Sequence, residues 1–499
     1  MLDLEQKLYQ LIINRLDGEK LSSVPYQEEA LELVNRGIGG FILFNGKKDE
    51  SKGFIERLQA LSKIPLFIAS DVERGVGQQV EGATRFPCQM AVAAAIDKNK
   101  AGDAEILKEA INAAVREALD IGINMPLIPV LDVNRNPDNP IICTRAFSDD
   151  PEEVAWYGRI YIRILADAGV ISCAKHFPGH GDTSVDSHIE LPVISKSLNE
   201  LADTDILPFK EAVTAGVSSI MVGHLSIPAI DTLPATLSEK IITDLLRKEM
   251  GYEGLVLTDA LNMSALNKEK HVPARCINAG VDILLHPANA ASTVAELIQA
   301  VDSGEVEEGK IDDAVGRILR FKAKIKSIER QAVNYERHAE LSTIISDKSI
   351  TLVKNTPGVL PLKDIQDVHL AFAGDESDYK ESPLKGFIPD NSSVSAGTGF
   401  KPAPAIIVAI FTNVAAWKGS SGISEGEIHY IKELMKKSRH SIVISFGSPY
   451  VLRHFSGADV LVAAYDTAER TQSSVIKCLK GESSFQGRLP VTLSLINNE

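Results

Sequence analysis

Residues 170–177 read VISCAKHF, an apolar run that closes on the cationic pair Lys175 and His176. The stretch before it, residues 151–168, opens with an Asp-Pro turn and acids in its first turn. Acids there complement the positive end of a helix, so the pair reads as helix followed by buried strand. The same phrase recurs on both sides. Upstream lie 39–44 (GGFILF), 65–71 (PLFIASD) and 123–133 (INMPLIPVLDV); downstream lie 217–224 (VSSIMVGH), 255–261 (LVLTDAL) and 281–287 (VDILLHP). Amphipathic stretches such as 103–119 and 238–250 separate them, the latter beginning with Ser238 as a cap. Continuous apolar runs alternating with helices indicate parallel strands covered on both faces. Seven runs are one short of a closed eight-stranded barrel, and open doubly wound sheets share the alternation. The polar residues decide between them. Asp71, Asp132, Lys175, His176, His224, Asp259 and His286 sit at or just after the C-terminal ends of the runs. A barrel gathers all such ends at one mouth, whereas an open sheet gathers only those beside a switch point.

The predicted fold is therefore α/β: a TIM-type (β/α) barrel, regular or irregular, followed by a smaller α/β sandwich. The barrel and a C-terminal connector are expected over 1–345, and the sandwich over 346–499. Residues 305–339 carry Arg317, Arg320, Lys322, Lys324 and Lys326 and read as a solvated helix and charged connector. The second unit has apolar runs at 368–372, 406–411, 442–446, 460–465 and 489–495, with a helix at 429–437 and Gly/Ser-rich loops at 390–399 and 418–426.

Composition narrows the function. With 499 residues, 44% of them hydrophobic and 24% charged, the chain can bury a large core. Against 67 acidic residues stand 52 Lys and Arg, a net charge of −15, which speaks against nucleic acid as partner. No uninterrupted apolar run reaches eighteen residues and the N-terminus lacks a basic-then-apolar leader, so no membrane association is expected. A cytoplasmic location is expected, or secretion if a leader has been trimmed. Cys88, Cys143, Cys173, Cys276 and Cys478 are few, odd in number and scattered, which fits a reducing compartment rather than a disulfide framework or zinc ribbon. The sequence carries no signal for an oligomeric state.

The densest chemistry is KHFPGHGDTSVDSH at 175–188. Its His and Asp residues are metal-ligand types, but Pro178 and Gly179 interrupt the HxxxH pair, so the helical pair of a zinc protease is excluded. A purely structural loop is a second reading. The third is an acid/base pair: Asp186 accepts from one ring nitrogen of His188, which fixes the tautomer and turns the other nitrogen to substrate. Asp259, at the end of its run, is either a nucleophile toward an electrophilic carbon or a carboxylate capping the next helix. Asp71 has a similar position. These carboxylates, with Lys175 and His176, suit a neutral polyhydroxyl ligand. Asp132 and Arg145 flank the loop DVNRNPDNPIICTR, where Arg145 binds a ligand oxygen or pins the loop. There is no GxGxxG, Walker loop, GxSxG elbow, CxxC pair or aromatic-basic platform, and no metal or cofactor is expected.

Together these residues resemble glycoside hydrolase family 3, most of all its bacterial β-N-acetylglucosaminidase branch in two-domain form. KHFPGHG…DSH at 175–188 carries the resemblance, with DVNRNPDNPIICTRAFSDDP at 132–151, LVLTDALNM at 255–263 and SFGSPYVL at 445–452. The resemblance implies that Asp259 is the catalytic nucleophile and His188, oriented by Asp186, the acid/base. It implies that Asp71, Arg145, Lys175 and His176 bind substrate, with Asp132 and His180 in support. The implied activity is release of non-reducing terminal N-acetylglucosamine, with retention, from chitooligosaccharides or muropeptides, as in peptidoglycan recycling. The alternatives are a β-N-acetylglucosaminide phosphorylase, a β-glucosidase or β-xylosidase of the same family, and a non-catalytic glycan-binding protein; the presence of Asp259, Asp186 and His188 speaks against the last. One departure stands out: DVERG places Arg74 where the branch commonly has a small residue.

Overall fold

Residues 12–17, IINRLD, supply the strand that the apolar runs leave out. Asn14 and Arg15 break the run: they are half-buried and exposed, respectively, in the middle of an otherwise buried strand. The computed structural model describes residues 2–325, 332–362, 368–388 and 403–496. In it, β1 (Ile12–Asp17) pairs in parallel with β2 (Gly40–Phe44) on one side and β8 (Leu284–Leu285) on the other. The sheet continues through β3 (Phe67–Ser70) to β4 (Met125–Pro126). A second parallel sheet holds β5 (Cys173–Phe177), β6 (Ser219–Val222) and β7 (Leu255–Thr258). Single parallel bridges join the two sheets at Val130–Lys175 and Leu257–Ile283. Leu131 N donates to Lys175 O at 2.7 Å, and Thr258 N to Ile283 O at 3.0 Å. The strands thus follow one another around an irregular eight-stranded barrel. Pro126 and Pro129, lacking N–H groups, keep the β4 side of the ring from forming a regular ladder.

The charged connector is solvated on one face only, with Arg320 and Lys324 exposed. The helix Glu308–Ile325 buries Ile311, Val315, Ile318 and Lys322, which recur at helical spacing on one face. Lys322 is 1% exposed and reaches the N-terminal ends of β1 and β2, where Nζ lies 2.8 Å from Gln10 Oε1 and 2.7 Å from Gly39 O. Arg317 Nε, 2.8 Å from Asp282 Oδ1, ties the same helix to the start of β8. The expectation of a solvated helix fails at Lys322 because positive charge on a helix marks exposure only on average. Lys326 lies outside the described residues.

The chain divides into two compact units: Met1–Phe86, Lys108–Val133 and Asp150–Ala339 form the first, and Pro87–Leu107, Asn134–Asp149 and Glu340–Glu499 the second. Sequence order alone assigns 87–107 and 134–149 to the barrel, but Cys88, Met90, Ala91, Ala94 and Cys143 share a core with Val408 and Tyr450 of the second unit. That unit is built on β9 (Thr351–Asn355), β10 (Val368–Gly374), β11 (Ala403–Thr412), β12 (Ser438–Gly447) and β13 (Val460–Ala463). Their spatial order is β10-β11-β12-β13-β9, parallel except for antiparallel β9. Ile406, Val408 and Ile410 enter one core and Ile407, Ala409 and Phe411 another, so both faces of the sheet are covered, as a sandwich requires. The run at 489–495 is not a strand: Pro490 O accepts from Ser148 Oγ at 2.6 Å and Thr492 N donates to Asp149 Oδ2 at 2.7 Å instead of to a ladder. The loop at 390–399 lies outside the described residues. No described helix is long and apolar enough to cross a membrane.

Candidate active site

Side chains from the C-terminal ends of the barrel strands meet at the mouth, where each is set by the strand that carries it. β5 ends in Lys175, His176 and Phe177, all buried. Lys175 Nζ lies 2.6 Å from Asp71 Oδ1 and 2.7 Å from Glu73 Oε1. A buried ammonium needs such partners, because desolvation otherwise costs several kcal/mol. The Asp71 side chain is 28% exposed and that of Glu73 only 4%, so Asp71 is the member of the cluster open to solvent. Glu73 escaped the reading of the sequence; its signal was the i, i+2 spacing from Asp71 in DVERG.

Asp132 is fully buried and organises the start of the histidine-rich loop. Its Oδ2 accepts from His176 Nδ1 at 2.7 Å, and its Oδ1 accepts from the backbone N–H groups of His176 at 3.2 Å and His180 at 2.7 Å. Burial pushes its pKa up, but His176 and these hydrogen bonds prevail and hold it below the usual value. His180 pairs Nδ1 with Thr183 Oγ1 at 2.9 Å and Nε2 with Ser187 Oγ at 3.0 Å. Burial, with His176 beside it, depresses its pKa to about 4, so it is a neutral strut. Further along, His188 Nδ1 and backbone N donate to Asp186 Oδ1 at 2.8 and 2.9 Å. The Asp186 side chain is fully buried, while that of His188 is 23% exposed.

Asp259 follows β7 directly. Its N–H donates to Val222 O at 3.0 Å, and its Oδ1 accepts from Ala260 N at 2.8 Å. Burial raises its pKa, but the fields of His176 and His224, the Ala260 N–H and the field of His188 outweigh that and hold it at about 2. Three histidines, one at the end of β5, one on the loop that leaves β5 and one after β6, therefore act on one carboxylate. In the sequence His224 is legible only as a polar strand end. It donates from Nε2 to Ala260 O at 3.1 Å and pairs Nδ1 with Thr236 Oγ1 at 2.7 Å, which fixes it next to Asp259. His286 donates from Nδ1 to Asn262 Oδ1 at 2.7 Å.

The first unit thus holds Asp71, Asp132, Lys175, His176, His180, Asp186, His188 and Asp259. Arg145 belongs to the second unit, in a short turn where Nη1 donates to Ile141 O at 3.1 Å. Arg74 is half-buried, with Gln78 Oε1 2.8 Å from its backbone N and Phe86 O 3.4 Å from its Nε. The arrangement offers an ionised carboxylate, an imidazole oriented by a carboxylate, and ion-paired groups of both signs that can bind hydroxyls.

The N-terminal domain model of glycosyl hydrolase family 3 matches residues 3–321. Beta-hexosaminidase A of Pseudoalteromonas piscicida is 30% identical over 93% of this chain and 91% of its own. A family 3 beta-N-acetylglucosaminidase from Paenibacillus sp. str. FPU-7 is 30% identical and superposes with a TM-score of 0.84 over 100% of both chains. A beta-glucoside phosphorylase, BglX, superposes with a TM-score of 0.88 at 25% identity, over 98% of this chain and 94% of that one. The chain therefore belongs to glycosyl hydrolase family 3, resembles its β-N-acetylglucosaminidase branch, and is an enzyme that acts on carbohydrate.

Proposed function

We propose that the protein is a retaining exo-β-N-acetylglucosaminidase that releases non-reducing terminal N-acetylglucosamine from chitooligosaccharides or peptidoglycan fragments. The observation that carries the reading is Asp259, kept ionised among His176, His224 and His188 while His188 is held on Asp186. In the first step Asp259 attacks the anomeric carbon and His188 passes a proton from Nε2 to the leaving oxygen, giving a glycosyl-aspartate. Asp186 stabilises the imidazolium before that transfer. His188 then removes a proton from water, which cleaves the ester and restores both groups. Asp71, Lys175 and His176 bind the sugar hydroxyls, and Asp132 and His180 hold them and the loop in place.

Kinetics on aryl β-N-acetylglucosaminides test the roles. Asp259→Ala is expected to abolish turnover. His188→Ala is expected to lose less, with a loss that shrinks as the leaving group becomes a weaker base. Parental rates in both variants would refute the assignment.

A second reading is phosphorolysis, favoured by the likeness to the beta-glucoside phosphorylase. An anionic general base repels phosphate and a neutral imidazole does not. Formation of a sugar 1-phosphate in phosphate buffer distinguishes it from hydrolysis. Aryl glycosides with and without the acetamido group separate the glucosaminidase from a β-glucosidase.

A further inference from the structure

The loop that carries His188 leaves β5 after Phe177 and is fixed again where Val193 bridges Ser226. There Ile194 N donates to Ser226 O at 2.9 Å and Ser226 N to Pro192 O at 2.8 Å. Within the loop His180 braces Thr183 against Ser187, so residues 180–188 form one cross-linked turn that ends in the Asp186–His188 pair.

Lys196, just beyond the fixed exit, reaches back toward this turn. Its Nζ lies 2.7 Å from Asp205 Oδ2 and 3.1 Å from Asp182 Oδ2. The two carboxylates differ in kind. The Asp205 side chain is fully buried, and its Oδ2 also accepts from Thr204 Oγ1 at 2.6 Å. It backs onto the loop entrance at Gly179: a Cβ at Gly179, whose φ is +136°, would lie 2.6 Å from the Asp205 Cβ. The Asp182 side chain belongs to the loop and is 30% exposed. A buried carboxylate cannot release its counter-ion without a large desolvation cost, whereas an exposed one exchanges it for water at little cost.

We infer that Lys196 is a positioning residue for the acid/base loop: anchored on Asp205, it holds Asp182 and thereby keeps the Asp186–His188 pair at the barrel mouth. The inference rests on the acid/base reading of His188.

The test uses Asp182→Asn, which leaves the buried Lys196–Asp205 pair intact, with Asp182→Glu and His188→Ala in the full chain. Each is assayed on aryl β-glycosides of whichever sugar the parent cleaves fastest, spanning strongly to weakly basic leaving groups, and each is melted thermally. For Asp182→Asn, kcat/KM is expected to fall roughly tenfold on the most basic leaving group, about 1.4 kcal/mol of barrel-mouth alignment, and to stay within about twofold of the parent on the least basic one. Tm is expected to be unchanged, and Asp182→Glu to restore the rate. His188→Ala should show the same trend more steeply. An equal loss on every leaving group, no loss on any, or failure of Asp182→Glu to restore the rate, while His188→Ala keeps its trend, would overturn the inference. A flat profile for His188→Ala itself would bring down the acid/base reading and this inference with it.

Discussion

The barrel buries a lysine at each end, and the two are treated in opposite ways. At the mouth, Lys175 sits between the carboxylates of Asp71 and Glu73. At the other end, Lys322 has, among the described residues, the neutral oxygens of Gln10 and Gly39 and the Phe67 ring, 5.0 Å from its Nζ. Burial depresses the Lys322 pKa to about 7. The mouth thus spends opposite charges to hold polar groups in fixed positions for a ligand. The base seals the strand ends with a cation whose charge is barely tolerated. Changes at the mouth should therefore reach turnover, whether or not they also cost stability, and changes at the base should act on stability alone.

The sharpest separation is expected from Asp259→Ala. Turnover should fall by roughly three orders of magnitude or more, with Tm close to that of the parent; a variant that unfolds instead would erase the distinction between the two ends. Next in size is Lys175→Met, which removes the buried ammonium that Asp71 and Glu73 share. Here both readouts should move: a stability loss of about 3–5 kcal/mol in denaturant titration, with kcat/KM down at least roughly tenfold. Unchanged kinetics would remove the Lys175 cluster from substrate binding.

Lys322→Met should leave kcat/KM within about twofold of the parent and alter the pH dependence of stability. Because the folded-state pKa is about 7 against an ordinary value of 10.5, the unfolded chain binds more protons between those values. The parent therefore gains stability as pH rises through that window and loses it as pH falls back through it, the loss being complete below about 7. Denaturant titrations at pH 6.5 and 9.5 should show the parent gaining on the variant by up to a few kcal/mol; parallel curves would contradict the account. The smallest effect is expected at Arg74→Gly, a change of a few-fold in KM with kcat nearly constant, measured on glycosides with and without the acetamido group. An equal effect on both sugars would exclude Arg74 from sugar selection.

Much of this was legible in the sequence because strand ends in a barrel mark themselves. The runs ending at Asp71, Lys175–His176, His224 and Asp259 gave both the architecture and the candidate site. What escaped did so for physical reasons. β1 was hidden by Asn14 and Arg15, two polar residues left incompletely buried in mid-strand. The antiparallel strand β9 carries a Lys and an Asn at its end and packs at a sheet edge, so its apolar signal is weak. Residues 134–149 join the second unit through Asn134, whose Nδ2 lies 3.0 Å from the Tyr450 hydroxyl, a long-range contact that order along the chain cannot reveal. Lys322 shows the converse: its spacing from Ile311, Val315 and Ile318 marked a buried face, and charge alone argued against it. Glu73 and His224 act through partners far away in sequence, Lys175 and Ala260, and only the closed barrel brings those pairs together.

The central claim is that the Asp259 carboxylate forms a bond to the sugar. A fluorinated N-acetylglucosaminyl fluoride that forms a glycosyl-enzyme readily but hydrolyses it slowly should add one sugar to the chain, and peptide mass spectrometry should find that sugar on Asp259. A label on any other residue, or turnover of ordinary aryl substrate with no label at all, would contradict the account.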